Sequence, residues 1–164
     1  MIILGIDPGL ATMGWGVIET NNYKNRLIDY GAVITSPDAP TYQRLRSIQL
    51  GVENILKIYH PDDISFEELF FSKNITTGMN VAAARGAALV ACAAYTENLY
   101  EYTPMQIKQA IVGYGKADKH QMQHMVKILL NMEDIPRPDD AADGLAAAIT
   151  HSNSLTCKEM FHMK

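Results

Sequence analysis

The first nineteen residues, MIILGIDPGLATMGWGVIE, constrain the fold of this chain more than any other stretch. Residues 2–6 are an apolar run that predicts a buried strand, and residues 14–18 predict a second strand after a turn. Asp7 stands where the first strand ends, beside Pro8 and Gly9. A buried carboxylate costs free energy unless something pairs with it. Asp7 is therefore either a turn residue, since Asp-Pro-Gly favours turns, or a carboxylate that is held out for a metal ion.

Length and composition favour one domain that spans residues 1–164, because 48% of the 164 residues are hydrophobic. The net charge of −4 argues mildly against a nucleic-acid partner, although the four positive charges of two divalent ions would bring the total near zero. Cys92 and Cys157 form no C-x-x-C pair, which predicts reduced thiols in a cytoplasmic protein. The uncharged apolar stretch 86–96 is shorter than the ~20 residues that cross a bilayer, so we expect no membrane partner.

The spacing of apolar residues predicts a mixed five-stranded sheet flanked by helices, an α/β fold. The first three strands should form an antiparallel meander, and the fourth should lie beside the first. His60 and Pro61 should end the first helix, while Asp118 and Gln121 form a capping-box pattern. The predicted strands are 2–6, 14–18, 26–35, 64–69 and 100–103, and the predicted helices are 45–59, 80–99, 119–130 and one that begins near 139.

Four carboxylates are candidate metal ligands: Asp7, Glu67, Asp140 and Asp143. Glu67 lies in the strand that should neighbour the first, and Asp140 and Asp143 are three apart, so they share one face of the last helix. Helix capping explains Asp140 well, but it explains Asp143 poorly, because Asp143 follows the first turn among alanines. Glu67 and Glu68 are adjacent, so one of them must face away from the core. Spacing alone leaves the metal-site and structural interpretations about equally favoured.

Carboxylates in this arrangement suit Mg²⁺, which takes oxygen ligands from a few acids, waters and phosphates. Two such ions about 3.5–4 Å apart can activate water and stabilise the leaving oxygen in phosphodiester cleavage. Two other signals are weaker. His120 and His124 in HQMQH lack the glutamate of a zinc protease and are expected on a polar helix face, and GYGK is not a phosphate-binding P-loop.

The chain resembles Holliday junction resolvases of the RuvC type in five stretches that come in the family order across residues 3–151. These stretches are LGIDPGLATMGWGVI, FEELFFSKN, ARGAALVA, QIKQAIVGYGKADKHQMQHMV and PDDAADGLAAAITH. The resemblance implies a ribonuclease H-like fold and a homodimeric endonuclease that depends on Mg²⁺ or Mn²⁺. It also implies paired, symmetric nicks in four-way junction DNA, with branch-migration motor proteins as possible further partners.

The resemblance also assigns roles to residues by motif. The catalytic, metal-binding acids fall on Asp7, Glu67, Asp140 and Asp143, and Glu67 is chosen over Glu68 because the family acid stands seven places before Asn74. The aromatic that packs on bases falls on Phe70, whereas Phe71 is expected in the core. The phosphate-facing cations fall on Lys108 and Lys119, which could otherwise be ordinary solvated lysines. Small residues from Ala82 to Ala94 are assigned to the dimer interface, although they could equally pack on the sheet.

Several functions remain open beside a junction-resolving endonuclease. A ribonuclease H-like nuclease without junction specificity would carry the same acids. An actin-like ATPase or sugar kinase shares the DPG turn, but it requires a second phosphate-binding repeat and a longer chain. A catalytically silent binding module is disfavoured because all four acids are present. The acidic charge predicts modest and strongly salt-dependent affinity for DNA.

Overall fold

The computed structural model describes residues 1–22, 24–69 and 75–164. Its centre is a five-stranded mixed sheet with the strand order β3-β2-β1-β4-β5, which confirms the predicted arrangement. The strands are β1 Ile2–Asp7, β2 Thr12–Asn21, β3 Lys24–Ile34, β4 Asp63–Glu67 and β5 Leu99–Tyr102. The helices are α1 Thr41–Tyr59, α2 Ile75–Ala93, α3 Pro104–Val112, α4 Lys119–Leu129 and α5 Asp139–Asn153, and a 3₁₀ helix follows at Leu155–Phe161.

The first three strands form the predicted antiparallel meander, while β4 pairs in parallel with β1 and β5 in parallel with β4. Alternation along a strand sends successive side chains to opposite faces. Leu4 and Ile6 accordingly face α1 and α2, whereas Ile3 faces α5. Each face of the sheet is therefore covered by helices, and the odd-numbered residues of β1 face α5.

The helix α1 ends where the sequence predicts, because His60 takes a left-handed conformation and its amide donates to the carbonyl of Leu56 at 3.1 Å. The extent predicted for the alanine-rich helix is wrong: α2 begins at Ile75 and ends at Ala93. A turn replaces its last residues, because the amide of Asn98 donates to the hydroxyl of Thr96 at 3.1 Å.

The sequence analysis missed α3, which follows β5 directly. Its signal was present, because Thr103 and Gln106 form a reciprocal capping box and Pro104 occupies the first turn. Lys108 lies on this helix, which therefore fixes the position of one predicted site residue. The predicted capping box of α4 is confirmed, with Asp118 accepting from the amide of Gln121 at 2.8 Å.

Candidate active site

Two of the predicted ligands lie at one edge of the sheet, on neighbouring parallel strands. Ile6 pairs with Phe66 in the register of β1 and β4, so Asp7 and Glu67 both stand one residue further along. Gly5 of β1 contacts α5, and Asp7 shares its parity, so the carboxylate of Asp7 projects toward α5. Glu67 has the same parity relative to β4 and projects to the same side. Strand register, and not proximity in sequence, brings these two acids together.

Glycines bring α5 unusually close to the sheet. A Cβ built on Gly14 would overlap the carbonyl oxygen of Asp140, and one built on Gly5 would overlap the carbonyl oxygen of Gly144. Gly14 is the cross-strand partner of Asp7. The backbone of Asp140 therefore lies directly over the strand pair that carries Asp7. Any larger residue at these glycines would lift the helix and move its acids away from the strand edge.

The two predicted helical ligands occupy the first half of α5. Asp139 and Asp140 lie in the first turn, and Pro138 at the N-cap position makes no side-chain capping bond. Asp143 lies one turn further in, with a side chain that is 28% exposed. Its neighbours Ala142 and Leu145 are buried. The structure thus gives Asp143 no capping role, and it points the carboxylate into a cleft.

That cleft has a volume of about 200 Å³ and brings two acids and two lysines together. It lies among β4, α3, α4 and α5. Its walls are formed by Glu67, Pro104, Ile107, Lys108, Lys119, Met122, Asp143 and Ala146. Lys108 and Lys119, which the resemblance assigned to phosphate, therefore face two of the four predicted metal ligands across one concave surface.

Three acids of the site, Asp7, Glu67 and Asp143, lie in an unfavourable environment that raises their pKa values. Burial raises the pKa of Asp7 well above its ordinary value, and the charges of Glu67, Asp143 and Asp140 add to the effect. Burial, followed by Asp143, raises the pKa of Glu67 to about 7, against a smaller lowering by Lys108 and Lys119. Burial likewise raises the pKa of Asp143, although Lys119 opposes it. The lysines of the site therefore compensate its acids only in part.

Lys119 is the one cation that the structure brings into direct contact with these acids among the described residues. Its Nζ lies 3.5 Å from Oδ2 of Asp143 and 3.7 Å from Oδ2 of Asp139. Burial works to lower the pKa of Lys119, but the charges of Asp143, Asp139 and Asp140 outweigh it and raise the pKa. Both contacts are longer than a charge-assisted hydrogen bond, so Lys119 shares its charge without neutralising the site.

The donor set fits a hard divalent cation. All four predicted ligands are carboxylates, the type that Mg²⁺ prefers, and the raised pKa values mark a place where added positive charge is favourable. Within residues 1–22, 24–69 and 75–164, no three acids, histidines or cysteines converge closely enough to chelate an ion as they stand.

The remaining predicted residues fall in different places. Phe70, the predicted base-stacking residue, lies outside the described residues, as do Phe71 and Asn74. His120 and His124 are exposed on α4 with their rings stacked at 6.3 Å, as expected for a polar face. Asp139, which pairs with Lys119 at one oxygen and with Arg137 at 2.6 Å through the other, was not predicted as a site residue.

No helix in the described part of the chain is both long and apolar enough to cross a membrane.

Comparison with known proteins gives one consistent result. The family model for the crossover junction endodeoxyribonuclease RuvC matches residues 3–151. The RuvC of Alkaliphilus metalliredigens is 50% identical over 164 residues, which is 100% of both chains. That of Clostridioides difficile is 51% identical over 154 residues, which cover 94% of this chain and 91% of its own. A structure of Thermus thermophilus RuvC in complex with a Holliday junction substrate matches with a TM-score of 0.87 at 38% identity, over 93% of each chain. The likeness confirms the ribonuclease H-like fold.

Proposed function

The chain belongs to the RuvC family of crossover junction endodeoxyribonucleases, and we propose that it resolves four-way DNA junctions by paired, symmetric nicks. The family is one of metal-dependent nucleases. The observation that carries the proposal is the cleft in which Glu67 and Asp143 face Lys108 and Lys119. The carboxylates in this cleft suit metal ions, and the lysines suit a phosphate, so one cleft can hold both.

Asp7, Glu67, Asp140 and Asp143 are the proposed catalytic residues, and their role is to hold two Mg²⁺ ions, for which Mn²⁺ can substitute. When bound, the ions supply an activated water and stabilise the leaving oxygen in phosphodiester hydrolysis. The chain fixes the positions of the carboxylates. Asp7 and Glu67 lie at adjacent strand ends, and Asp140 and Asp143 lie on a helix that glycines allow to approach the sheet closely. The raised pKa values of Asp7, Glu67 and Asp143 support the proposal, because bound cations would relieve the repulsion between the carboxylates.

Lys108 and Lys119 are proposed to neutralise phosphates of the DNA strand that enters the cleft. Lys119 is 54% exposed and holds its carboxylate partners only at 3.5 Å and 3.7 Å, so it can turn toward a phosphate once metal ions replace its charge.

Phe70 is proposed to stack on an unpaired base at the junction centre, where stacking contributes roughly 1–3 kcal/mol. Phe70→Ala should then lose most junction cleavage while Phe70→Trp retains much of it.

A homodimer is proposed to present two such sites to the two-fold symmetric junction. One stripe of α2 supports α2 as the interface: Met79 is 67% and Val90 is 64% exposed, and the space beside Gly86 is open. Positions 79, 86 and 90 recur at helical spacing, so they share a face. Val90→Glu should shift the protein toward monomer in sedimentation, whereas Ile128→Glu, which changes an exposed residue of α4, should not.

We further propose that residues 1–164 act as one nuclease domain in the cytoplasm, where Cys92 and Cys157 remain free thiols, as both are in the structure. Branch-migration motor proteins are proposed as partners that deliver junctions. These statements rest on membership of the family.

The deciding experiment compares a four-way junction with a linear duplex and a single-stranded loop of the same sequence, each with and without Mg²⁺. We expect symmetric paired nicks in the junction alone, and only with metal. Asp143→Asn, which changes charge but little shape, serves as the inactive control. Equal cleavage of all three substrates would instead identify a nuclease without junction specificity, and no cleavage of any substrate would leave a binding module.

A further inference from the structure

A buried chain of hydrogen bonds joins α5 to the β4–β5 side of the sheet. Nε2 of His151 lies 2.8 Å from Oδ2 of Asp63, and Nδ1 of His151 lies 2.8 Å from the hydroxyl of Tyr102. The side chains of His151 and Asp63 are 0% and 2% exposed, and Tyr102 is 1% exposed. With Nε2 protonated, His151 donates to Asp63 and accepts from Tyr102, which satisfies both ring nitrogens.

The charge of Asp63 is also balanced. Nζ of Lys158 lies 2.7 Å from the same Oδ2, so the carboxylate has a cation and a neutral donor. Burial favours the protonated acid, yet the hydrogen bonds from His151 and Lys158 outweigh it and lower the pKa of Asp63. The chain of bonds is therefore a completed polar network, of the kind that fixes one arrangement of the elements it joins.

Two members of this network, Asp63 and His151, lie on elements that also carry a proposed metal ligand. Asp63 and Glu67 share β4, four residues and about 13 Å apart. Asp143 and His151 share α5, eight residues and about 12 Å apart. Tyr102 is the cross-strand partner of Glu67 in the register of β4 and β5. Moving α5 relative to β4 would thus change the network and the separation of Glu67 and Asp143 together.

No second polar contact of this kind is available on that side of the helix in the described part of the chain. The glycine contacts hold α5 against β1 and β2 through Gly5, Gly14 and Gly144. Ser152 bonds to Thr20 and Asn25 at 2.9 Å and 2.7 Å, again on β2 and β3. Within residues 139–153 of α5, His151 is the residue whose side chain bonds to β4 and β5 in the described structure.

We propose that Asp63, His151 and Tyr102 are positioning residues for the metal site, which set the spacing between Glu67 on β4 and Asp143 on α5. The inference rests on the proposed function of the acids as metal ligands. Its physical basis is that two rigid elements carry the network at one end and the ligands at the other. Two ligands on separate elements bind an ion tightly only when their spacing is fixed in advance.

The test uses Tyr102→Phe, which removes one buried hydroxyl and keeps the ring, and His151→Gln, whose amide can still reach Asp63 but not Tyr102. Thr150→Val is the matched control, because it removes the buried hydroxyl of the adjacent residue of α5, which donates to the carbonyl of Ala146 at 2.8 Å within the helix. Mn²⁺ binding without DNA is measured by calorimetry, and turnover per folded molecule is measured against Mn²⁺ concentration.

For Tyr102→Phe and His151→Gln we expect weaker Mn²⁺ binding and a matching rise in the half-saturating Mn²⁺ concentration. The expected change is up to roughly tenfold, the lower end for residues that bond directly to metal ligands, because the network acts through the two elements and does not touch the ligands. Turnover at saturating Mn²⁺ and junction affinity in Ca²⁺ should stay within about twofold of the unmodified chain, and Thr150→Val should leave all four quantities unchanged.

A lower melting temperature with unaltered Mn²⁺ binding and half-saturation would overturn the inference and make the network purely structural. An equal shift in Thr150→Val would overturn it as well. Failure of the proposed function is distinguishable, because the unmodified chain would then bind no Mn²⁺ or cut no junction at any concentration.

Discussion

The two ends of α5 handle buried carboxylates in opposite ways. At the C-terminal end, Asp63 meets the ring of His151 and the ammonium of Lys158 at 2.8 Å and 2.7 Å, and its pKa is lowered. At the N-terminal end, Asp7 and Glu67 meet further acids, and burial together with those charges raises their pKa values. One helix therefore borders both a completed ion pair and an uncompensated acidic site.

This difference separates residues that stabilise the fold from residues that give up stability for binding. A buried carboxylate with full partners contributes to folding, and removing its partner is costly. Buried carboxylates that repel each other destabilise the folded state until a cation arrives, after which mass action returns the stability. Variants at the two ends should therefore change stability in opposite directions.

The largest expected effect is the loss of cleavage when a proposed ligand loses its charge. Asp7→Asn, Glu67→Gln, Asp140→Asn and Asp143→Asn each remove one metal ligand with little change in shape. Loss of metal assistance removes several kcal/mol of transition-state stabilisation, or about 1,000-fold or more in rate. Single-turnover nicking of a junction measures it, and junction affinity should hold or rise because repulsion of DNA falls. A variant that nicks at close to the unmodified rate would exclude that residue from the site.

The sharpest test of the comparison is one substitution at each end, measured without metal. Asp63→Asn should lower the free energy of unfolding by about 3 kcal/mol, near the lower end for a broken buried pair, because Lys158 is 27% exposed. Asp7→Asn should raise the free energy of unfolding, because it removes a repelled charge. Urea unfolding with excess chelator gives both values. If both variants are destabilised alike, the two ends of α5 do not differ in how their buried carboxylates are compensated.

The sequence predicts the acidic end of α5 far better than the other end. Asp7 follows an apolar run and Glu67 lies in a strand that should neighbour it, but spacing left the metal-site and structural interpretations about equally favoured. The family resemblance then selected Glu67 over Glu68 by its distance from Asn74. The Asp63–His151–Tyr102 network joins residues 88 and 49 positions apart, and no local pattern marks its members as partners.

Two errors in the predicted helices have equally physical causes. Alanine favours helix at every position of the run before Ala94, so composition gave no indication that Thr96 and Asn98 form a turn. The capping box before α3 was readable, but the short helix offers only Ile107 and Ile111 as buried positions, too few for a clear period.

A smaller effect concerns pH. The pKa of Glu67 rises from 4.5 to about 7 on folding, so its charged form is penalised in the folded state. Without metal, stability is unaffected by Glu67 below about pH 4.5 and should fall as the pH rises through about 7, by up to roughly 3 kcal/mol. The lowered pKa of Asp63 gives stability that is lost only in acid, so it does not contribute to this window.

Mg²⁺ should reverse the loss, because metal binding requires the ionised carboxylates. The rise in melting temperature caused by Mg²⁺ should therefore grow between about pH 5 and pH 8. Glu67→Gln should reduce both the pH dependence of stability and the response to Mg²⁺, and should leave the part that comes from Asp7 and Asp143, whose pKa values are also raised. If the rise in melting temperature caused by Mg²⁺ is the same at pH 5 and pH 8, Glu67 is not a ligand of the ion.

The smallest effect distinguishes the two lysines of the cleft from Lys158, which lies near the C-terminal end of α5. Lys119 is 54% exposed with carboxylate contacts of 3.5 Å and 3.7 Å, whereas Lys158 is 27% exposed and holds Asp63 at 2.7 Å. Lys119 can therefore exchange an acid for a phosphate, while Lys158 cannot do so without breaking a buried pair.

Each phosphate contact releases counterions, so Lys108→Ala and Lys119→Ala should each flatten the log–log salt dependence of junction binding by about 0.9. Lys57→Ala, which removes an exposed lysine from the last turn of α1 on the opposite face of the sheet, is the matched control and should leave the slope unchanged. Binding is measured in Ca²⁺ across a series of salt concentrations. A slope that Lys57→Ala flattens as much as Lys119→Ala would mean that DNA responds to overall charge alone, and the acidic end of α5 would then have no lysines dedicated to phosphate.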